Sequence, residues 1–296
     1  MKLTNLFAVA IITVAIASCN NEESTMPQND RVAVQFGSSI KASTRAVDET
    51  WTSGDPIGIF MTKAGETLSD DAICEEANNV AYQTTEGNGA FTPVVETEII
   101  YYPMDGDVDF YAYYPYTEVT NYVVNLNVSN QNNQETLDFM YATARNCNKS
   151  TPQVTLDFNH QLSNLILEVQ PGEGLTQEDL AALTVKVKEQ NTTGSYNLVD
   201  GLISNEGTPA DIAMKTIVAG KKYVAILLPE TSDSREIEFN LNNGKDAPFT
   251  WTMTGKLEGN KKYHYTTMKL SRTAAEGSGT IKPWEQAGDS EEHEAK

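Results

Sequence analysis

The sequence predicts an all-β protein. Three observations carry that prediction. Short runs that alternate apolar and polar residues recur along most of the 296 residues. Gly, Asn, Asp and Pro clusters separate those runs at short intervals. One stretch alone reads as a short helix, starting near Thr176 with Glu178 and Asp179 in its first turn. Closely spaced strands with turn signals between them point to β-sandwiches.

The chain is organised around residues 99–116, IIYYPMDGDVDFYAYYPY. Asp105-Gly106 between two aromatic runs is a hairpin signal. In the second run Val108, Phe110, Ala112 and Tyr114 share one parity, and Asp109, Tyr111 and Tyr113 share the other. A period of two sends these sets to opposite faces of a sheet. Aromatic residues in both sets imply a central strand covered on both sides. Sugar-stacking tyrosines are the competing reading of residues 101–116, but filling a core accounts for them more simply.

Residues 1–18 stand apart from the fold. Lys2 precedes an apolar run over residues 6–16 that is too short to span a bilayer, which is the pattern of a secretory signal. The run closes as Ile16-Ala17-Ser18-Cys19. Small residues before a cysteine resemble the lipobox of bacterial lipoproteins, and the resemblance implies cleavage before Cys19 and its lipidation. Several acyl chains on one residue hold a protein stably to a membrane. The acidic Asn20-Asn21-Glu22-Glu23-Ser24 resembles the surface-export signal of some outer-membrane lipoproteins. Residues 19–30 read as a lipidated tether with almost no apolar content.

The first strand is expected over residues 32–40, with Val32, Val34 and Phe36 alternating and Ile40 resuming the pattern. A polar loop follows. Its Arg45 is a surface arginine open to a trypsin-like protease. Residues 57–61 read as a buried strand, and residues 137–142 close the first half. Further strands are expected at residues 154–160, 165–169, 183–187, 223–229, 237–241, 249–253 and 262–270. The last residues, 273–296, hold a small-residue linker, Ile281, Trp284 and an acidic tail.

Chemistry is sparse. A net charge of −20 disfavours nucleic acid and anionic membrane as partners. With Cys19 accounted for by the lipobox, Cys74 and Cys147 remain as a pair that an oxidising compartment could bridge. Asp105, Asp107 and Asp109 have the spacing of a calcium loop. Phe110 and Tyr116 stand where glycine and glutamate are needed, so these are read as turn acids. His160 has no nucleophile motif beside it and is read as packed at a strand end. With no phosphate loop, dinucleotide fingerprint or zinc pattern, neither an enzyme nor a cofactor or metal is expected.

An ordered series of motifs carries a resemblance. It runs through Phe36, Thr44-Arg45-Ala46, Trp51-x-x-Gly54-Asp55-x-Ile57-Gly58-Ile59-Phe60 and Tyr82. It continues through Phe91-Thr92-Pro93, Tyr101-Tyr102-Pro103, residues 110–116 and Asp138-Phe139-Met140-Tyr141-Ala142. Together, behind a lipobox, these look like the fimbrillin family, the Mfa-like branch of type V pilins. The resemblance implies two tandem transthyretin-like β-sandwich domains, residues 31–150 and 151–272, behind a lipoprotein signal peptide.

It also implies a fimbrial subunit of stalk, anchor or tip type, exported to the outer membrane. A protease cut at Arg45 would release the strand bearing Val32, Val34, Phe36 and Ile40. A strand from a like or related pilin would replace it, with residues 273–296 of a neighbour as the plausible source. The alternatives are a non-polymerising surface lipoprotein that binds a host or other glycan ligand, and a structural lipoprotein with neither role.

Overall fold

The computed structural model describes residues 31–40, 51–272 and 274–284, and residues 32–284 among them fall in one unit. Cys19 and Arg45 lie outside the described residues. In chain order the strands are β1 (Gln35–Ile40), β2 (Pro56–Lys63), β3 (Val80–Thr84), β4 (Ala90–Pro93), β5 (Val108–Tyr114), β6 (Val123–Asn127), β7 (Met140–Cys147), β8 (Gln153–His160), β9 (Ser163–Pro171) and β10 (Thr184–Gln190). They continue as β11 (Thr193–Asn197), β12 (Ile203–Glu206), β13 (Ala210–Ala213), β14 (Lys215–Val218), β15 (Lys222–Leu227), β16 (Ser234–Asn240), β17 (Phe249–Thr254), β18 (Lys261–Ser271) and β19 (Ala274–Pro283).

Strands β1-β4-β3-β2-β5-β7-β8 form a closed barrel in that order. Two further sheets, β13-β10-β16-β17 and β14-β15-β9-β18-β19, share one core made of residues such as Val185, Ile237, Phe239, Leu165, Tyr223 and Tyr263. The sheet β12-β11-β6 joins the halves, because β6 comes from the first and β11 from the second.

Strand β5 shows why the first half takes this form. All seven of its residues are buried. Val108, Phe110, Ala112 and Tyr114 join the core inside the barrel, while Tyr111 and Tyr113 join the core outside it. The two parities therefore divide as the alternation predicts. Tyr113 lies against Phe60 and Phe139, and Phe139 against Tyr196 of β11. This second aromatic layer is what covers the barrel's outer wall.

Several expectations are revised. Residues 99–102 do not form a hairpin arm with β5, because β2 and β7 occupy both of its edges. The segment turns instead to the start of the first strand. The Val34 amide donates to Ile100 O at 2.9 Å and the Tyr102 amide to Val32 O at 2.9 Å. The helix near Thr176 is a turn. The Thr176 amide and hydroxyl both bond Asp179 Oδ2, at 2.8 and 2.9 Å, as a helix start would. Strand β10 begins at Thr184, which leaves too little chain for a stable helix. Finally, the boundary expected at residue 150 lies in the β7–β8 turn. Strand β8 stays in the barrel, because its outer edge pairs with β1.

Candidate functional site

Strand β1 is the member that closes the barrel. It runs parallel to β8 from the pair Gln35↔Gln153 to the pair Ile40↔Phe158. On its other side it meets β4 antiparallel, through Phe36↔Phe91 and Gly37↔Ala90. It is therefore an inner strand bonded on both edges, formed from the first residues of the unit.

Its side chains fill slots prepared by the rest of the barrel. Phe36 is 3% exposed and meets Tyr82 and Phe110 edge to face, each ring centroid 5.1 Å away. Val34 is buried, and Val32 packs partly against the same core. Ile40 aligns with Phe158 through its backbone.

Below β1 sits Trp51. Its ring meets Phe91, Tyr114 and Phe158 edge-on at 5.1, 5.3 and 5.3 Å. Its indole N–H donates to Ser38 Oγ at 2.7 Å, so it holds β1 by a polar bond as well. Gly89 has a φ of 77°, and a Cβ there would stand 2.8 Å from Ser38 O. Glycine is required where the chain turns so close beneath β1.

The pairing of β1 with β4 is short. Beyond it a cleft of about 370 Å³ opens between Val34, Phe36, Phe91, Pro93 and Ile99. Val94, Val95 and Ile99 beside it are exposed apolar residues. This cleft therefore lies along the barrel seam.

The other residues singled out by sequence fall elsewhere. Tyr102, Tyr111, Tyr113 and Tyr114 are all buried, so the tyrosine run is core. Burial pushes the Tyr82 and Tyr102 hydroxyls up to about 12. Cys74 and Cys147 are separate, half-buried thiols. Cys74 bonds Met61 on the edge of β2 away from β5, and Cys147 faces Val108 from the far edge of β5. Burial raises both thiols above their ordinary value.

Two polar features escaped the sequence reading. His160 Nδ1 lies 2.7 Å from the Asp138 carboxylate oxygen Oδ1. Asp109 is 2% exposed and is no turn acid. It holds Arg145 Nη1 at 3.0 Å and accepts the Gly65 and Asn146 amides. Nothing local in the sequence marks these partners. Among the described residues there is no group of His, Cys, Asp and Glu that would hold a metal ion.

The candidate site of this all-β chain is a strand seat, because its first described strand completes a barrel between β4 and β8. The comparisons supply the family. The model of the fimbrillin-like family matches residues 44–284, and the chain belongs to that family. It is 33% identical over 301 residues to "Putative fimbrium subunit Fim1C" of Bacteroides uniformis, covering 96% of each chain. A shorter match, 30% over 125 residues, links it to "Putative fimbrium tip subunit Fim1C" of Bacteroides ovatus, covering 39% of this chain and 21% of that one.

Among solved structures, a "putative cell adhesion protein" of Bacteroides uniformis superposes with a TM-score of 0.75 at 32% identity, over 88% of this chain and all of that one. The family is one of fimbrial subunits at the cell surface, structural rather than catalytic.

Proposed function

We propose that the chain is exported as an outer-membrane lipoprotein anchored through Cys19, and that it joins a fimbria by strand exchange. An arginine-specific protease cuts after Arg45. Residues 32–40 then leave, and a strand from another pilin subunit takes their place. The observation that supports this best is the position of β1. Both of its edges are bonded, so its departure leaves β4 and β8 with facing unpaired edges. It also empties the slots of Val34 and Phe36, each worth about 1.5–3 kcal/mol of burial. Unpaired edges beside apolar slots recruit an added strand.

The C-terminal segment supports a terminal position in the fimbria. Strand β19 pairs with β18 from Lys261↔Pro283 to Ser271↔Ala274 within its own fold. Trp284 after it is buried, and only Ile281 of its larger apolar side chains is exposed. A segment so engaged suits an acceptor of strands better than a donor. The name of the Bacteroides ovatus relative agrees with a tip role.

The test is to read the N-terminus of the assembled protein by mass spectrometry and to compare it with an Arg45→Ala variant. The expected result is a chain starting at Ala46 that co-purifies with other pilins, and a variant that stays unassembled. A surface form that retains residues 32–40, or a variant that assembles normally, would overturn the reading. Counting one copy per filament by labelling would support the tip position, and many copies along the shaft would refute it.

A further inference from the structure

The ladder between β5 and β7 is interrupted at Asp109. Val108 faces Cys147 while Phe110 faces Ala144, so Arg145 and Asn146 together stand opposite Asp109. This is a β-bulge, a device that re-aims side chains and concentrates next to functional sites. Asn146 has a φ of 54°, in the left-handed region, where strain often accompanies function. Its amide donates to Asp109 Oδ1 at 2.8 Å, and the Gly65 amide donates to Oδ2 at 2.9 Å. The buried carboxylate therefore fixes the bulge from behind.

The bulge presents Arg145 in a set pose. Its guanidinium lies over the Tyr111 ring, with Cζ 4.3 Å from the centroid. Nη1 donates to Asp109 Oδ2 at 3.0 Å and to the Tyr111 hydroxyl at 2.8 Å. Both bonds use one nitrogen. The opposite edge, Nε with Nη2, makes no hydrogen bond to another described residue. That edge is a fork suited to a carboxylate held by two parallel bonds.

Arg145's side chain is 45% exposed, whereas that of Asp109 is 3% exposed. It opens into a cleft of about 410 Å³, lined also by Glu66, Thr67, Asn146 and, on the far wall, Val199. The loop carrying Val199 is pinned where the Tyr141 hydroxyl donates to Leu198 O at 3.0 Å.

We infer that this cleft binds a carboxylate-bearing sugar, such as a sialic or uronic acid. The fork takes the carboxylate. The Thr67 hydroxyl, the Asn146 side-chain carboxamide and the Glu66 carboxylate offer partners to ring hydroxyls, and Val199 covers an apolar ring face. The cleft has the size of a small-ligand site. An acidic peptide fits less well, because a run of carboxylates meets a single arginine on a chain of net charge −20. A purely structural role for the pair explains the ties to Asp109 but leaves the oriented outer edge of Arg145 without a use. The site does not depend on strand exchange, since every residue in it lies outside β1.

The test uses the purified full chain and titrates it by calorimetry and ligand-observed NMR. The probes are N-acetylneuraminic acid, galacturonic acid, the methyl ester of each, and hexaglutamate. Saturable binding of an acid, with its ester at least about tenfold weaker, is the expected result. Arg145→Lys keeps a positive charge beside Asp109 but removes the fork, and it should weaken the acid by about tenfold at an unchanged melting temperature.

Val199→Trp fills the cleft from its far wall and should abolish binding, which keeps the test decisive if Arg145→Lys fails to fold. The absence of saturable binding by either acid would overturn the inference. So would equal binding of acid and ester, or binding untouched by filling the cleft. Preference for hexaglutamate would replace the sugar by an acidic peptide.

Discussion

Trp284 lies flat on His160, with ring centroids 3.9 Å apart and planes 2° from parallel. The contact joins the residue after β19 to the last residue of β8. It is exact in orientation because both partners are held from elsewhere. Asp138 fixes the imidazole at 2.7 Å, and the Trp284 amide donates to Asn260 O at 2.7 Å. Since β8 is also the long partner of β1, one strand carries the C-terminal anchor at its end and the seat of the first strand along its edge.

Trp284→Ala should therefore free the end of the C-terminal strand first. Truncating a buried aromatic costs about 3–5 kcal/mol. Strand β19 is the edge of its sheet, so the loss should appear as local opening rather than global unfolding. Amide exchange in residues 274–284 should quicken by about a hundredfold, with exchange in β5 unchanged. Equal protection in variant and parent would mean that β18 alone holds β19.

Phe36→Ala tests the seat of the first strand. The side chain touches Tyr82 and Phe110 and is 3% exposed, so its loss should cost about 3–5 kcal/mol in denaturant unfolding. A synthetic peptide of residues 31–40, added in trans, should exchange into the variant faster than into the parent. A loss below about 1 kcal/mol would show that the slot collapses without it.

The parts that could be read from the chain are those set by local alternation. The two faces of β5, the buried Phe36 and strands β8, β9, β10 and β15 to β18 match the local patterns, whereas β11 to β14 are not among the expected strands. What could not be read depends on pairs far apart in sequence. Residues 130–134 are all Asn or Gln, yet Gln131 and Gln134 are both buried. Their amides reach Ile226 O at 2.9 Å and Val224 O at 3.1 Å, bonds that no local pattern announces. The same holds for Asp109 and Arg145, whose spacing resembles any scattered pair of surface charges. The pairing of β8 with β1, more than a hundred residues earlier, is likewise invisible to any local pattern.

Gln131 acts as a piece of missing strand. Its Nε2 donates to Ile226 O, and its Oε1 accepts the Ile226 amide at 2.8 Å. It thereby satisfies β15 beyond the end of β14, where an uncovered edge would be a liability. Gln131→Leu keeps the volume and removes both bonds to Ile226, together with the bond donated to Val128 O and the one accepted from Gln134 Nε2. Each buried backbone group left unsatisfied costs about 1–3 kcal/mol. The variant should lose about 2–6 kcal/mol from the two Ile226 groups, with the Ile226 amide becoming the fastest-exchanging position in β15. Retained protection at Ile226 would mean that water or another group replaces the glutamine.

Acid stability should report Asp109. Burial alone would raise its carboxyl, but the Asn146 and Gly65 amides and Arg145 together hold it below its ordinary value of 3.8. A carboxylate with a depressed folded-state value adds stability that is complete above the unfolded value and is lost as pH falls through the folded one. The window therefore opens near pH 4 and extends downward. Asp109→Asn removes this proton linkage. Below pH 4 its unfolding free energy should fall less steeply than the parent's, by up to about 1.4 kcal/mol per pH unit. Near pH 7 the variant should be the less stable protein, because Arg145 loses its ionic partner. Parallel acid limbs for the two proteins would show that Asp109 ionises alike in the folded and unfolded chains.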